Sequence, residues 1–132
     1  MKRILLVDDD EEICEEIAEL LKEERYLVRT AFDGEKALQI LEKEAFDLVI
    51  LDLKLPVVSG LDVLRTLKSR RVPFKILVTT GRPMFRSEDD RIPALDKKED
   101  TEGKEILRLA DAFMNKPFDV VALLKKLKVM LG

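Results

Sequence analysis

The chain has 132 residues, of which 46% are hydrophobic, so it is long and apolar enough for one ordinary core and is not a disordered chain. Its 24 basic and 27 acidic residues give a net charge of -3, without the basic excess of a nucleic-acid-binding domain. No apolar stretch approaches the roughly 20 residues of a membrane span, and the first one is too short for a signal peptide, so we expect a cytoplasmic protein of one domain.

Short aliphatic segments alternate with amphipathic segments, which is the pattern of a parallel sheet covered by helices. The first strand is predicted over RILLV and the first helix over EEICEEIAELLKEE, where Ile13, Ile17, Leu20 and Leu21 share one face. The single cysteine, Cys14, lies in this helix among glutamates, which disfavour a thiolate. We therefore interpret it as a small hydrophobe at the edge of the core.

The second strand is predicted over YLVRTAF, and a turn at Asp33-Gly34 precedes a helix in which Ala37, Leu38 and Leu41 face inward. The third strand lies in FDLVILDL, and a strand that is apolar on both faces belongs in the middle of a parallel sheet. A helix over LDVLRTLKSRR and a fourth strand over FKILVTT follow. The helix buries the leucines of its inner side, Leu61, Leu64 and Leu67.

The fifth strand is predicted over AFMN, and the closing helix over DVVALLKKLKVML has the apolar stripe Val120, Leu124, Leu127 and Leu131. The connection before the fifth strand is unusually long, with a charged insertion at about 83–102 and helical potential only near EGKEILRLAD. Connections of that length tend to be functional or partly disordered. The whole chain, 1–132, is read as one domain with no output domain.

Five strands interleaved with helices predict an α/β fold: a doubly wound, flavodoxin-like parallel sheet of order 2-1-3-4-5 with helices on both faces. In such sheets the topological switch lies between strands one and three, and ligands bind beyond the carboxyl ends of the strands. The acids at those ends are Asp8, Asp9 and Asp52. The sequence therefore predicts a site where these carboxylates converge.

The residues at the predicted strand ends form a set with one coherent chemistry. Three converging carboxylates repel unless a hard cation such as Mg²⁺ shares them. A carboxylate beside Mg²⁺, a lysine (Lys116) and a hydroxyl (Thr79) is suited to accept a phosphoryl group, and an ionised aspartate needs no general base. The absence of histidine from the chain is compatible with this chemistry.

Each of these residues alone has a simpler interpretation. An acid after a strand is often a helix N-cap, which we predict for Asp10. Asp52 alone could be a turn residue, Thr79 fits a strand by propensity, and Lys116 alone could be an exposed lysine. Only their agreement at one edge of the sheet favours a functional site.

Four sequence blocks resemble the receiver domain of two-component response regulators: ILLVDDDEE, DLVILDLKLPVVSGLDVL, ILVTTG and AFMNKPFD. The resemblance covers nearly the whole chain. It implies that Asp52 is phosphorylated by a sensor histidine kinase or a phosphotransfer protein. It also implies that Asp9, Asp52 and the main-chain carbonyl of Lys54 bind Mg²⁺, with Asp8 acting largely through water.

The same resemblance assigns the remaining residues of the site. Thr79 would contact the phosphoryl group, Lys116 would pair with it, and Pro117 matches a position that often follows a cis peptide. Phe113 matches an aromatic that turns inward when the threonine moves. Lys54 and Gly81 match two positions that influence hydrolysis of the phosphoryl group, and glycine at 81 leaves one flank of the site open.

Two features depart from the family pattern. The spacing from Thr79 to Lys116 is longer by roughly a dozen residues, all within the charged insertion. The usual glycine before the fifth strand is replaced by Leu109. Both departures fall on the family's common output surface, so the fourth helix is expected to be shortened, displaced or disordered.

The leading functional hypothesis is a phosphorylation-dependent signalling switch without general enzymatic turnover. An aspartate-nucleophile phosphatase is disfavoured, because that chemistry needs a second acid two residues after the nucleophile and the chain has Lys54 there. A phosphorylation-independent interaction module is the other alternative, disfavoured by the intact set of site residues. The expected partners are the kinase and an output partner of unknown identity, with no nucleic acid and no membrane. A homodimer is compatible with the family.

Overall fold

The computed structural model describes residues 1–81 and 101–132, which form five strands and five helices. The strands are β1 Arg3–Val7, β2 Leu27–Ala31, β3 Leu48–Asp52, β4 Lys75–Thr80 and β5 Ala112–Asn115. The helices are α1 Glu11–Glu23, α2 Gly34–Lys43, α3 Gly60–Ser69, α4 Thr101–Leu109 and α5 Val120–Leu131. No helix among these is long and apolar enough to cross a membrane.

The strands form one parallel sheet in the order β2-β1-β3-β4-β5, which confirms the predicted topology. The central strand β3 is buried along its whole length, as its continuous apolar run predicts. In the register of the sheet, Val7 lies beside Leu51 and Asp52 lies beside Thr79. The carboxyl ends of β1, β3 and β4 therefore meet at one edge.

Alternate residues of the strands pack on opposite faces of the sheet and divide the core in two. On one face Leu5, Val49 and Ile76 pack with residues of α2, α3 and α4. On the other face Ile4, Leu48 and Leu77 pack with residues of α1 and α5. Helices thus cover both faces, as predicted, and they leave the carboxyl edge free for polar residues.

Four helices begin with a side chain that accepts a main-chain N–H of the first turn, which satisfies a donor that the helix leaves unpaired. The capping oxygens belong to Asp10, Asp33, Ser59 and Asp119. The predicted N-cap Asp10 is confirmed, with its Oδ1 accepting from Ile13 N at 3.2 Å. These caps fix where the chain turns from a strand end into the next helix.

Helix α1 is rotated relative to the prediction. It buries Cys14, Ile17, Ala18 and Leu21, whereas Ile13 is 37% exposed, so the placement of Ile13 on the buried face is wrong. Packing against the sheet selects Cys14 instead, since residues at spacings of three and four share that face. Burial raises the pKa of the Cys14 thiol to about 12, and the nearby aspartates add to the shift. The raised pKa disfavours the thiolate, in the direction that the surrounding acids predict, and the burial of Cys14 agrees with its interpretation as a small hydrophobe.

Two other helices differ slightly from the predicted pattern. In α2 the buried residues are Gly34, Ala37 and Ile40, and the predicted Leu38 and Leu41 are half-buried. In α5 the buried residues are Leu123 and Leu127, and the rest of the predicted stripe (Val120, Leu124 and Leu131) is half-buried. In α3 the predicted leucines are buried, together with Val63.

Helix α4 confirms the helical segment predicted near EGKEILRLAD. Most of the predicted insertion, residues 83–100, lies outside the described residues, and its last two residues begin α4. Ile106 of α4 is buried in the core, and Glu105 accepts two hydrogen bonds from the Arg65 guanidinium of α3, at 2.7 and 2.8 Å. The hydrogen bonds from Arg65 lower the pKa of Glu105. The division into a single domain with an insertion stays a prediction.

Candidate phosphoacceptor site

Two aspartates at neighbouring strand ends are buried together. Asp52 is the last residue of β3 and Asp8 follows β1 directly, and each is 4% exposed. Asp8 Oδ1 accepts the Asp10 N–H at 3.0 Å, and Asp52 Oδ1 accepts the Lys54 N–H at 3.2 Å. Main-chain donors therefore fix both carboxylates, while the intervening Asp9 is exposed.

Lys116 brings a cation to both buried carboxylates. Its Nζ lies 2.6 Å from Asp8 Oδ2 and 3.2 Å from Asp52 Oδ2. The Lys116 N–H donates to the Thr80 carbonyl at 2.7 Å, and the following peptide bond to Pro117 is cis, as predicted. The lysine is thus positioned from β5 and β4 together, and its ammonium bridges the ends of β1 and β3.

Burial and the charges of this cluster shift the pKa values of Asp52 and Lys116. Burial raises the pKa of Asp52, although the Lys54 N–H and the charge of Lys116 oppose that shift. Burial disfavours the ammonium form of Lys116, yet its hydrogen bond to Asp8 and the charge of Asp52 raise its pKa overall. The lysine is therefore held protonated, as an electrostatic partner for anionic oxygens.

The acids can also share a metal ion. Oxygen atoms of Asp8, Asp9 and Asp52 all lie within 4.8 Å of one another. Hard cations such as Mg²⁺ bind carboxylate oxygens, main-chain carbonyls and water, so this donor set fits such an ion. Lys54 directly follows the loop residue Leu53, and its main chain contacts Asp52 through the N–H described above. The contribution of the Lys54 carbonyl stays a prediction.

Thr79 lies beside Asp52 in the register of β3 and β4 and is 2% exposed. Its carbonyl accepts the Leu53 N–H at 3.1 Å, which holds the loop after Asp52 against β4. Phe113 is half-buried against the core face that α2, α3 and α4 cover. The sheet therefore brings the predicted threonine next to Asp52, and its contact with a phosphoryl group stays a prediction.

Two glycines hold the site loop in place, a role that the sequence pattern did not indicate. A Cβ on Gly60 would lie 2.2 Å from the Asp52 carbonyl oxygen, and one on Gly34 would lie 2.1 Å from the Val58 carbonyl oxygen. The Gly60 N–H donates to the Leu53 carbonyl at 2.9 Å. Glycine at the first position of two helices was the available signal, since a helix start rarely requires glycine.

A groove of about 450 Å³ lies on the α3 side of the site and is lined by Lys54, Ser59, Thr80 and Gly81, together with three apolar residues. A Cβ added to Gly81 would have no atom within 4 Å among the neighbours described. The predicted open flank at Gly81 is therefore compatible with the described part of the chain.

Comparison with known proteins agrees with this geometry. The family model described as the response regulator receiver domain matches residues 4–128. The transcriptional regulatory protein CpxR of Escherichia coli strain K12 is 34% identical over 132 residues, which is 99% of this chain and 50% of CpxR. The chain thus spans about half the length of the curated relatives it matches.

Solved structures show the same fold. A CheY-like receiver domain protein from Methanospirillum hungatei superposes with a TM-score of 0.80 at 32% identity, over 99% of this chain and 94% of that one. The response regulator TrrA of Thermotoga maritima, solved in complex with Mg²⁺-BeF, gives 0.76 at 32% identity, covering 98% and 99%. A chain in the structure of the histidine kinase ThkA in complex with TrrA gives a TM-score of 0.78 at 34% identity, over 100% of this chain and 100% of that one. The chain belongs to the response regulator receiver domain family.

Proposed function

We propose that this receiver domain is a phosphorylation-dependent switch whose phosphoacceptor is Asp52. The observation that carries the proposal is the bridge from Lys116 to the buried carboxylates of Asp8 and Asp52. A fixed ammonium at a buried aspartate offsets the charge that a phosphoryl group brings, which favours transfer to that aspartate. Thr79, next to Asp52 in the sheet, is proposed to contact the phosphoryl oxygens.

The reaction requires few catalytic groups. An Asp52 carboxylate oxygen attacks the phosphorus of a phosphohistidine donor and forms an oxygen–phosphorus bond. The bond from phosphorus to the histidine nitrogen breaks, and the electron pair stays on the imidazole that leaves. Lys116 keeps its proton throughout, since its pKa is raised. Asp8, Asp9, Asp52 and the Lys54 carbonyl would hold Mg²⁺, which supplies charge neutralisation of the phosphoryl oxygens.

The proposed phosphodonor is a histidine kinase or a phosphotransfer protein, because a kinase is seen in complex with the similar regulator TrrA. We further propose that phosphorylation alters binding of an output partner, and that the protein transfers a phosphoryl group to and from itself without general turnover. A cytoplasmic location follows from that partnership as a prediction.

Phosphorylation should require Asp52. We expect acetyl phosphate with Mg²⁺ to add one phosphoryl mass to the wild-type protein and none to Asp52→Asn, because the amide is not a nucleophile. Intact-mass spectrometry measures both. Asp62→Asn is the matched control, since Asp62 lies exposed on α3, and it should be labelled as the wild type is. Equal labelling of Asp52→Asn would contradict the proposal.

The lifetime of the phosphoryl group should depend on Gly81. We expect Gly81→Arg to slow loss of the phosphoryl group several-fold, because a large side chain beside the groove would obstruct the attacking water. The decay of the labelled species after removal of the donor, followed by mass, measures the effect. An unchanged lifetime in the variant would refute the role of the open flank.

A further inference from the structure

The loop from Asp52 to α3 contains the most unusual backbone conformation of the described residues. Val57 has φ of 70°, and the Val58 N–H donates to the Pro56 carbonyl at 2.9 Å. A hydrogen bond across three residues with positive φ at the centre is the rare, strained form of the γ-turn. A β-branched residue with positive φ is an outlier, since its Cβ crowds the backbone.

Two other non-glycine residues of the described chain have positive φ, and both are ordinary. Arg25 and Arg71 follow the ends of α1 and α3, and their N–H groups donate to the Lys22 and Lys68 carbonyls near the ends of those helices. A left-handed residue after a helix is a common way to satisfy its last carbonyls. Val57 ends no helix, so its conformation has a different cause.

Side-chain packing does not offset this strain. The Val57 side chain is 73% exposed, so it gains little from burial. Asparagine or glycine would adopt the same turn more readily. The strain persists because neighbouring contacts hold the turn: the Gly34 N–H donates to the Pro56 carbonyl at 3.4 Å, and Gly34 lies so near the Val58 carbonyl that an added Cβ would be 2.1 Å from its oxygen.

The strained turn is connected to the phosphoacceptor through a short, fixed path. The Lys54 N–H donates to Asp52 Oδ1. Leu53 is held on both sides, by the Thr79 carbonyl and by the Gly60 N–H, and α3 begins at Gly60 in close contact with the Asp52 carbonyl. Any displacement of Lys54 must therefore be absorbed between Lys54 and Ser59, where the turn lies.

A phosphoryl group on Asp52 would displace Lys54. The phosphoryl group adds acceptor oxygens beyond the carboxylate, and transfer of the Lys54 N–H from Asp52 Oδ1 to one of them would shift Lys54. Strained backbone at switch sites often takes part in the change of state. Residues that absorb a change in φ and ψ need no contact with the ligand.

From these contacts we propose that Val57 is a positioning residue whose strained turn relaxes when Asp52 carries a phosphoryl group. The inference rests on the proposed function. Strain in the resting state favours the phosphorylated state, so the valine raises the affinity of the site for the phosphoryl group. The residue acts through the Lys54 N–H and touches neither the phosphoryl group nor a metal ion.

Val57→Asn tests the proposal with beryllofluoride and Mg²⁺ as the phosphoryl mimic. We expect the melting temperature of the free protein to rise by about 4 °C, since asparagine tolerates positive φ. Beryllofluoride affinity, measured by calorimetric titration, should fall about tenfold because the resting state alone is stabilised. Val57→Ile, which keeps the β-branch, should match the wild type in both measurements.

Val57→Gly is the second variant and guards against a folding defect specific to asparagine. It should weaken beryllofluoride binding in the same way, with a smaller rise in melting temperature because glycine loses more freedom on folding. A raised melting temperature with unchanged affinity overturns the proposal, since the strain would then persist in both states. An unchanged melting temperature of the free protein overturns it as well. Failure of the wild type to bind beryllofluoride refutes the proposed function, and the inference falls with it.

Discussion

Lys116→Met should lower the free energy of unfolding at neutral pH by about 3 kcal/mol. Asp8 and Asp52 are each 4% exposed, and the Lys116 ammonium lies within 3.2 Å of an oxygen of both. The variant leaves two buried carboxylates that repel each other without that cation. Because the lysine side chain is itself 27% exposed, we expect the low end of the range for breaking a buried ion pair. Urea denaturation measures the difference.

The stability lost in Lys116→Met should be larger at neutral pH than at acidic pH. The pKa of Lys116 is raised, so its stabilising pairing is present below its ordinary value of 10.5 and is lost only as pH rises through the higher folded value. The pKa of Asp52 is raised above 3.8, mainly by burial, so its ionised form opposes folding increasingly as pH rises through that region. The loss in Lys116→Met should therefore shrink on acidification, because protonation of Asp52 removes one of the charges that the lysine compensates.

Two further measurements separate this electrostatic effect from general damage. Lys125→Met, which removes an exposed lysine from α5, should change stability by no more than about 0.5 kcal/mol. Asp8→Asn in the Lys116→Met background should recover part of the loss, because it removes one of the two uncompensated charges. A deficit that is the same at neutral and acidic pH would show that lost packing, and not charge, explains it.

The location of the site could be predicted from the sequence because it depends on a small number of physical rules. Parallel strands with helical crossovers must place their carboxyl ends at one edge of the sheet. Recognition of the five strands therefore predicts that residues 8, 52, 79 and 116 lie close together. The alternation of side chains does not extend beyond a strand, however. Which of the consecutive acids turns inward is decided by main-chain donors such as the Asp10 N–H, which a sequence pattern does not indicate.

The errors have a common physical origin in packing. Apolar spacing alone placed Ile13 on the buried face of α1, whereas contact with the sheet selects Cys14, one residue further along. Helical periodicity fixes which residues share a face and leaves the rotation of the helix to its neighbours. The positive φ of Val57 could not be predicted either, because a β-branched side chain favours negative φ. Such local conflicts show where tertiary contacts override sequence preference.

The second large effect concerns Gly60, at the first turn of α3. Replacing a helical glycine by alanine usually stabilises a protein by up to about 1 kcal/mol. Here the added Cβ would lie 2.2 Å from the Asp52 carbonyl oxygen and 2.4 Å from the Leu53 Cα, both of which are main-chain atoms that no rotamer can move. We therefore expect Gly60→Ala to destabilise the protein instead, lowering the free energy of unfolding by about 3 kcal/mol.

Gly60→Ala should also weaken phosphorylation, because relief of the clash displaces the loop that carries Leu53 and Lys54 beside Asp52. Chemical denaturation and acetyl phosphate labelling measure the two effects on the same sample. Gly81→Ala is the matched control: its Cβ meets no atom within 4 Å in the described surroundings, so stability should stay within about 0.5 kcal/mol. If Gly60→Ala were as stable as Gly81→Ala, α3 would have to shift away from Asp52 without penalty. That outcome would show that α3 does not hold the site rigidly. The proposed transmission of a change at Asp52 to the loop between Lys54 and Ser59 requires that rigid support.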